Sequence, residues 1–218
     1  STLSEDAGAT EGGGNPMDVV RKQFGLLRED PQLVRFIATR GLLIATALAP
    51  PYMLAMAGRE SGGGLGALGP YILASALAAM SSTYLWGRLS DRSSRKVLAL
   101  SGIVAALSLS ATAALGYADG AWLGNPYVLP ALLFVLMVAY QGVRLGRSTH
   151  LVDMAETDKR AAYTALSNTI VGVLLVAGGV FGVIASVAGE AAVLALFAAM
   201  CAGAVMTGSA TLDVAQAE

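Results

Sequence analysis

The chain has 218 residues, 55% of them hydrophobic and 13% charged, with a formal net charge of −1. Soluble domains carry about 25% charged residues, so an ordinary water-soluble fold is excluded, and abundant Gly, Ala and Leu with 6% aromatics point to membrane helices rather than a β-barrel. A single Cys (Cys201) rules out an internal disulfide, one His and no carboxylates at ligand spacing give no metal site or cofactor, and no nucleic-acid signature is present.

The opening "STLSEDAGATEGGGNP" is polar, acidic and Gly-rich, a linker rather than a signal peptide. Asn15-Pro16 is a helix-start signal. From about residue 16, Val20, Phe24 and Leu27 recur at i, i+4 and i+7 opposite Asp18, Arg21, Lys22 and Arg28. That is the pattern of an amphipathic helix lying on a membrane surface, or of a solvated linker helix. Asp30-Pro31 repeats the start signal and closes this first region, residues 1–30.

Residues 31–212 contain six stretches long and apolar enough to cross a hydrocarbon core of ~30 Å, which takes ~20 helical residues. They are Phe36–Ala57, Leu68–Trp86, Val97–Tyr117, Tyr127–Thr149, Ala161–Ala188 and Ala191–Leu212, joined by short turn-forming connections and followed by a tail, 213–218. The expected fold class is all-α, a bundle of six transmembrane helices. With both termini cytoplasmic, every Lys and Arg except Arg59 falls on the inner side, as the positive-inside rule requires. Trp122 and Tyr127 then lie at the outer interface.

In the first span, Pro50-Pro51 removes two backbone donors and predicts a kink near mid-membrane. Tyr71, Ser75 and Tyr84 in the second span read as interhelical polar contacts. In the fourth span, Gln141, Tyr140, Arg144, Arg147 and Ser148 fall within an arc of about 120° of a helix, with Gly142 and Gly146 on the opposite side as a close-packing surface. At ~1.5 Å per residue from Pro130, Arg144 lies ~21 Å into the core and Arg147 ~26 Å. Arg40 in the first span comes to nearly the same depth as Arg144. An intramembrane Arg is costly and faces a cavity or a partner unless it snorkels to lipid phosphates. Asn168, polar among apolar residues of the fifth span, is either a cavity ligand or an interhelical hydrogen bond, and Gly178 and Gly182 repeat the close-packing spacing. Cys201 reads as a buried structural thiol.

The connection "GRLSDRSSRK", residues 87–96, is the most charged stretch of the chain. Gly87, Asp91, Arg92, Arg95 and Lys96 stand at the spacing of the cytoplasmic loop between the second and third helices of each half of the major facilitator superfamily, which the chain resembles from about residue 31 to 212. Ser94 stands where that family prefers Gly, at a turn where a positive φ would disfavour Ser. Arg160 matches the basic residue opening the fifth helix.

The resemblance implies the carboxy-terminal half of a transporter, a six-helix 3+3 inverted repeat with cytoplasmic termini in a bacterial inner membrane, working by alternating access. It implies pairing with an amino-terminal half or a second copy, and a small-molecule substrate. It also implies a cavity lined by the first and fourth helices, here with Arg40, Tyr140, Gln141, Arg144 and Asn168, where Arg40 and Arg144 would suit an anionic solute or a carboxylate of the other half. Asp91 would then be a latch against the start of the fifth helix near Arg160, or else a solvated residue offsetting its cationic neighbours.

No Asp or Glu falls inside a span, so no proton-coupling carboxylate is expected in this half. Two other readings compete. One is a six-helix interaction module that transports nothing. The other is an intramembrane serine protease built on Ser101 and His150, for which the sequence supplies no group to orient the pair.

Overall fold

In a computed structural model, the described residues are 25, 27–28, 30–61, 68–118, 123, 125–155 and 159–214. They form α1 (Pro31–Leu42), α2 (Ala45–Ser61), α3 (Gly69–Ser90), α4 (Ser94–Tyr117), α5 (Val128–Met154), α6 (Arg160–Ala177), α7 (Gly179–Ala188) and α8 (Glu190–Val214). Among the described residues there is no strand. Five segments are long and apolar enough to cross a membrane: Pro31–Arg59, Ser94–Tyr117, Val128–Met154, Arg160–Ala188 and Glu190–Thr207. The chain is therefore all-α with the character of a membrane protein. Helix α3, expected as a span, has 22 residues but is not among the five. Ser75, Ser81, Ser82 and Thr83 dilute its hydropathy.

The first expected span is two helices in sequence. Asp30 caps α1 by accepting from the backbone N–H of Gln32 at 2.8 Å and of Leu33 at 3.2 Å, and Pro31 follows at the first helical position. The helix breaks at Leu43–Ile44, before Pro50 and Pro51 rather than at them; both prolines lie inside α2. The carbonyls four residues before Pro50 and Pro51 belong to Thr46 and Ala47, so the break lies further back than the turn the prolines crowd directly. At the break the ladder tightens to Thr46 N–H→Leu43 O at 3.1 Å and Ala47 N–H→Ile44 O at 2.9 Å. The Thr46 hydroxyl also donates to the Leu43 carbonyl at 2.8 Å, satisfying a buried acceptor.

Helices α6 and α7 are nearly continuous through Gly178, whose φ of −57° is helical. Gly189 closes α7 with φ 85°, the one positive-φ glycine among the described residues, and α8 begins immediately after it. At that end of the bundle Glu190 pairs with Arg59 at the end of α2, 2.7 Å apart. At the opposite end the Ser94 hydroxyl of α4 donates to Asp153 of α5 at 2.7 Å, and the Tyr163 hydroxyl of α6 donates to Asp30 at 2.8 Å. Helices α1 and α6 thus start together and run parallel. This second end also holds Arg35, Arg88, Arg92, Arg95, Lys96 and Arg160, and is called the basic end below.

The core lies among α2, α4, α5 and α8, with Met53, Leu109, Leu136, Leu194 and Phe197 at full burial. Phe197 is met edge-on by Phe181 of α7, ring centres 4.7 Å apart, and by Tyr52 at 5.6 Å. A second cluster at the basic end joins Leu33, Phe36 and Ile37 of α1 to Leu151 and to Tyr163 and Leu166 of α6, with Leu27 against it. Gly25, Leu27 and Arg28 are helical; the rest of the surface helix expected from residue 16 lies outside the described residues, as do Trp122 and residues 215–218.

Outward faces are as apolar as the core. Ile72, Met80, Val176 and Val187 are between 68% and 85% exposed, which suits a lipid surround and not water. Close helix contact comes from small residues. A Cβ on Gly142 would sit 2.6 Å from Trp86 Cε2 and 2.8 Å from Ser101 Cβ, and one on Gly146 would sit 2.9 Å from Leu98 Cγ. These are the two glycines that the fourth span sets opposite its polar face. Gly178 is similarly tight, 3.1 Å from Leu48 Cδ1, but Gly182 faces open space.

Candidate functional site

Arg40, in the last turn of α1, reaches across to α6. Its Nη2 donates to Asn168 Oδ1 at 2.7 Å, and its Nη1 donates to Ser167 Oγ. Helical side chains lean back toward their own N-terminus, which carries the guanidinium toward the start of α6. The Nε of Arg40 is buried without a hydrogen-bond partner, and Arg147 of α5 is near enough to repel it. No described carboxylate forms an ion pair with it. Arg40, expected to line a cavity, and Asn168, expected either to line it or to bond between helices, are therefore bonded to one another across α1 and α6. The neighbouring cation is Arg147 rather than Arg144. Ser167 was not anticipated; its signal was its place beside Asn168 in an otherwise apolar run.

Arg144, Gln141 and Ser148 occupy a different groove. With Ser82, Thr83 and Trp86 of α3 they line a cavity of about 450 Å³, within the ordinary range of ~300–1,000 Å³ for small-molecule sites. One wall is held by the Trp86 indole N–H, which donates to the Val138 carbonyl at 2.7 Å. Arg144 is exposed, and its guanidinium makes no hydrogen bond or ion pair with a described residue. Tyr140 is half-buried on the same helix. Tyr84, expected to bridge helices, instead accepts from Arg88 of its own helix at 2.8 Å, with that guanidinium 5.6 Å from its ring centre.

The charged loop is a tight turn. Asp91 ends α3 at φ −60°, ψ −22°, and Ser93 is extended at φ −170°, ψ 114° and caps α4 through its hydroxyl on the Lys96 N–H at 3.4 Å. Ser94 is the first residue of α4, so the position needs no positive φ and the expected strain is absent. Gly87 is half-buried, with open space where a side chain would stand. Asp91 is exposed, its backbone N–H donates to the Gly87 carbonyl at 3.2 Å, and its carboxylate makes no hydrogen bond or ion pair with a described residue. Arg160 donates instead to the Ala155 and Val152 carbonyls, both at 3.1 Å, closing the end of α5. The contact expected between Asp91 and the start of α6 is not made in this conformation. Asp153, bonded to Ser94, provides the carboxylate contact between α4 and α5 at this end.

Ser101 Oγ donates to the Leu98 carbonyl at 3.0 Å, and His150 stacks against Phe36 with ring centres 5.6 Å apart; the two are not bonded to each other. No group of three metal-ligating side chains occurs among the described residues. Comparison with protein-family models, with curated proteins and with solved structures finds no match to this chain.

Proposed function

We propose that the chain is one six-helix half of a secondary transporter of the major facilitator type, moving a small anionic solute by alternating access. In this reading α3 is the sixth span, the termini and the basic end are cytoplasmic, and the polar groove is completed by a second half or a second copy. The reading is supported by the five apolar segments, by the confinement of all described cations but Arg59 to one side of the bundle, and by the spacing of Gly87, Asp91, Arg92, Arg95 and Lys96.

The observation that carries the anionic substrate is Arg40. A guanidinium held between helices by neutral oxygens, with a buried unpartnered Nε and a second Arg beside it, lacks its counter-charge. An anion supplied by the solute, or a carboxylate of the other half, would complete the site. The Asp91 carboxylate, with no described partner, remains available to latch the basic end in another conformation.

The test is uptake of a panel of anionic, neutral and cationic solutes into proteoliposomes, with and without a proton gradient. Arg40→Gln should lower uptake of the preferred anion at least about tenfold, the cost of one charge-assisted contact. Arg88→Gln, at a guanidinium whose described hydrogen bond goes to Tyr84, should not. Uptake at the wild-type rate by a well-inserted Arg40→Gln protein would remove Arg40 from the site.

A further inference from the structure

Two cavities at the basic end share Gln32, Arg95 and His150. The larger, about 340 Å³, is bounded by Ser93, Ser94 and Asp153; the smaller, about 50 Å³, reaches Arg35, Thr39 and Thr207 between α1 and α8. A water needs only ~10–15 Å³, so the smaller space admits a polar group and the larger a whole ligand. The lining is short of negative charge. The guanidinium groups of Arg35 and Arg95 make no hydrogen bond or ion pair with a described residue, and the Nδ1 of His150 is buried without a partner. The one carboxylate present, Asp153, already accepts the Ser94 hydroxyl. Phe36, Leu98 and Ala204 give the smaller cavity an apolar side.

Arg35 is exposed and Arg95 half-buried at the rim of this space, where an anion meeting both would gain from two unpaired guanidinium groups. Guanidinium groups match the paired oxygens of a phosphate in particular. We propose that this paired cavity binds a phosphate-bearing anion between Arg35 and Arg95, with His150 behind it. Two sources share that chemistry, a phospholipid headgroup whose first methylenes would lie along Phe36 and Leu98, and free phosphate. The site is separate from Arg40 and does not depend on the chain being a transporter.

The purified full chain in detergent tests it, read by the shift in thermal unfolding midpoint on titration with phosphatidylglycerol, diacylglycerol or inorganic phosphate. Phosphatidylglycerol should raise the midpoint saturably and diacylglycerol should not. A matching shift with inorganic phosphate identifies the free ion as sufficient, and none identifies the lipid. The double variant Arg35→Gln/Arg95→Gln should weaken binding at least about tenfold, and Arg88→Gln should leave it unchanged. The proposal is overturned if diacylglycerol acts as well as phosphatidylglycerol while phosphate does nothing, or if the double variant binds like wild type. Should the double variant not fold, Arg95→Gln alone decides, with unchanged affinity again overturning it.

Discussion

The Ser94 hydroxyl ties the start of α4 to the end of α5 through Asp153, and it is buried at 6% exposure where it does so. At this position a glycine would bring no conformational relief, because the backbone is already helical. It would remove one hydrogen bond to a carboxylate and add the glycine cost in a helix. Ser94→Gly should therefore destabilise the protein by about 1–2 kcal/mol, seen as a lower midpoint in detergent unfolding. A gain in stability would mean that the turn needs positive φ after all. The same carboxylate explains a limit of reading the loop alone: Asp91 and Asp153 look alike in sequence, and only the packing of α4 on α5 decides which of them finds a donor. Arg40 and Asn168 were each visible as polar residues in apolar runs. Their pairing was not, since it depends on α1 and α6 starting side by side at the Asp30–Tyr163 bond.

At the scale of helices, two glycines with the same sequence signature behave differently. Gly142 holds α5 against the Trp86 ring of α3, whereas Gly182 on α7 meets nothing within 4 Å. A methyl at residue 142 must displace Trp86, and with it the bond to Val138, so Gly142→Ala should cost about 1–3 kcal/mol. Gly182→Ala meets no obstacle and should be neutral or stabilising by up to about 1 kcal/mol, since alanine favours the helix. Unfolding in detergent separates the two, and equal losses would contradict the packing. The close-packing spacing at 142 and 146 was thus legible because both glycines fall opposite a polar face. At 178 and 182 the helix is apolar all round, and periodicity could not say which side is covered. Five of the expected spans match apolar segments among the described residues to within about five residues, and the second, α3, does not. The break at Leu43–Ile44 lies before the Thr46 and Ala47 carbonyls that Pro50 and Pro51 crowd, so the prolines alone do not locate it.

For the whole bundle, the distribution of charge is the strongest constraint. Arg59 and Glu190 neutralise each other at one end, and the remaining described cations lie toward the other. That asymmetry has a meaning for topology only if α3 crosses the bilayer, because otherwise the loop at 91–93 and the connection before α3 lie on the same side. Helix α3 is long enough at 22 residues, ~33 Å of helix, and its outward residues Ile72, Met80 and Leu85 are more than half exposed. Its serines turn toward carbonyls of their own helix, Ser81 to Leu77 at 2.8 Å and Ser82 to Ala79 at 3.2 Å, which lowers the cost of carrying them through lipid. The sidedness of single cysteines decides the matter. Cys201 is fully buried and should stay silent to a membrane-impermeant maleimide. Gly69 has open space where a side chain would stand, and Arg92 is exposed, so Gly69→Cys and Arg92→Cys report the two ends of α3 without disturbing it. With α3 across the bilayer, the cysteine at 92 is labelled from the cytoplasmic face and the one at 69 from the opposite face. Labelling of both from one face would reduce the bundle to five crossings, place its termini on opposite sides and end the comparison with a six-helix transporter half.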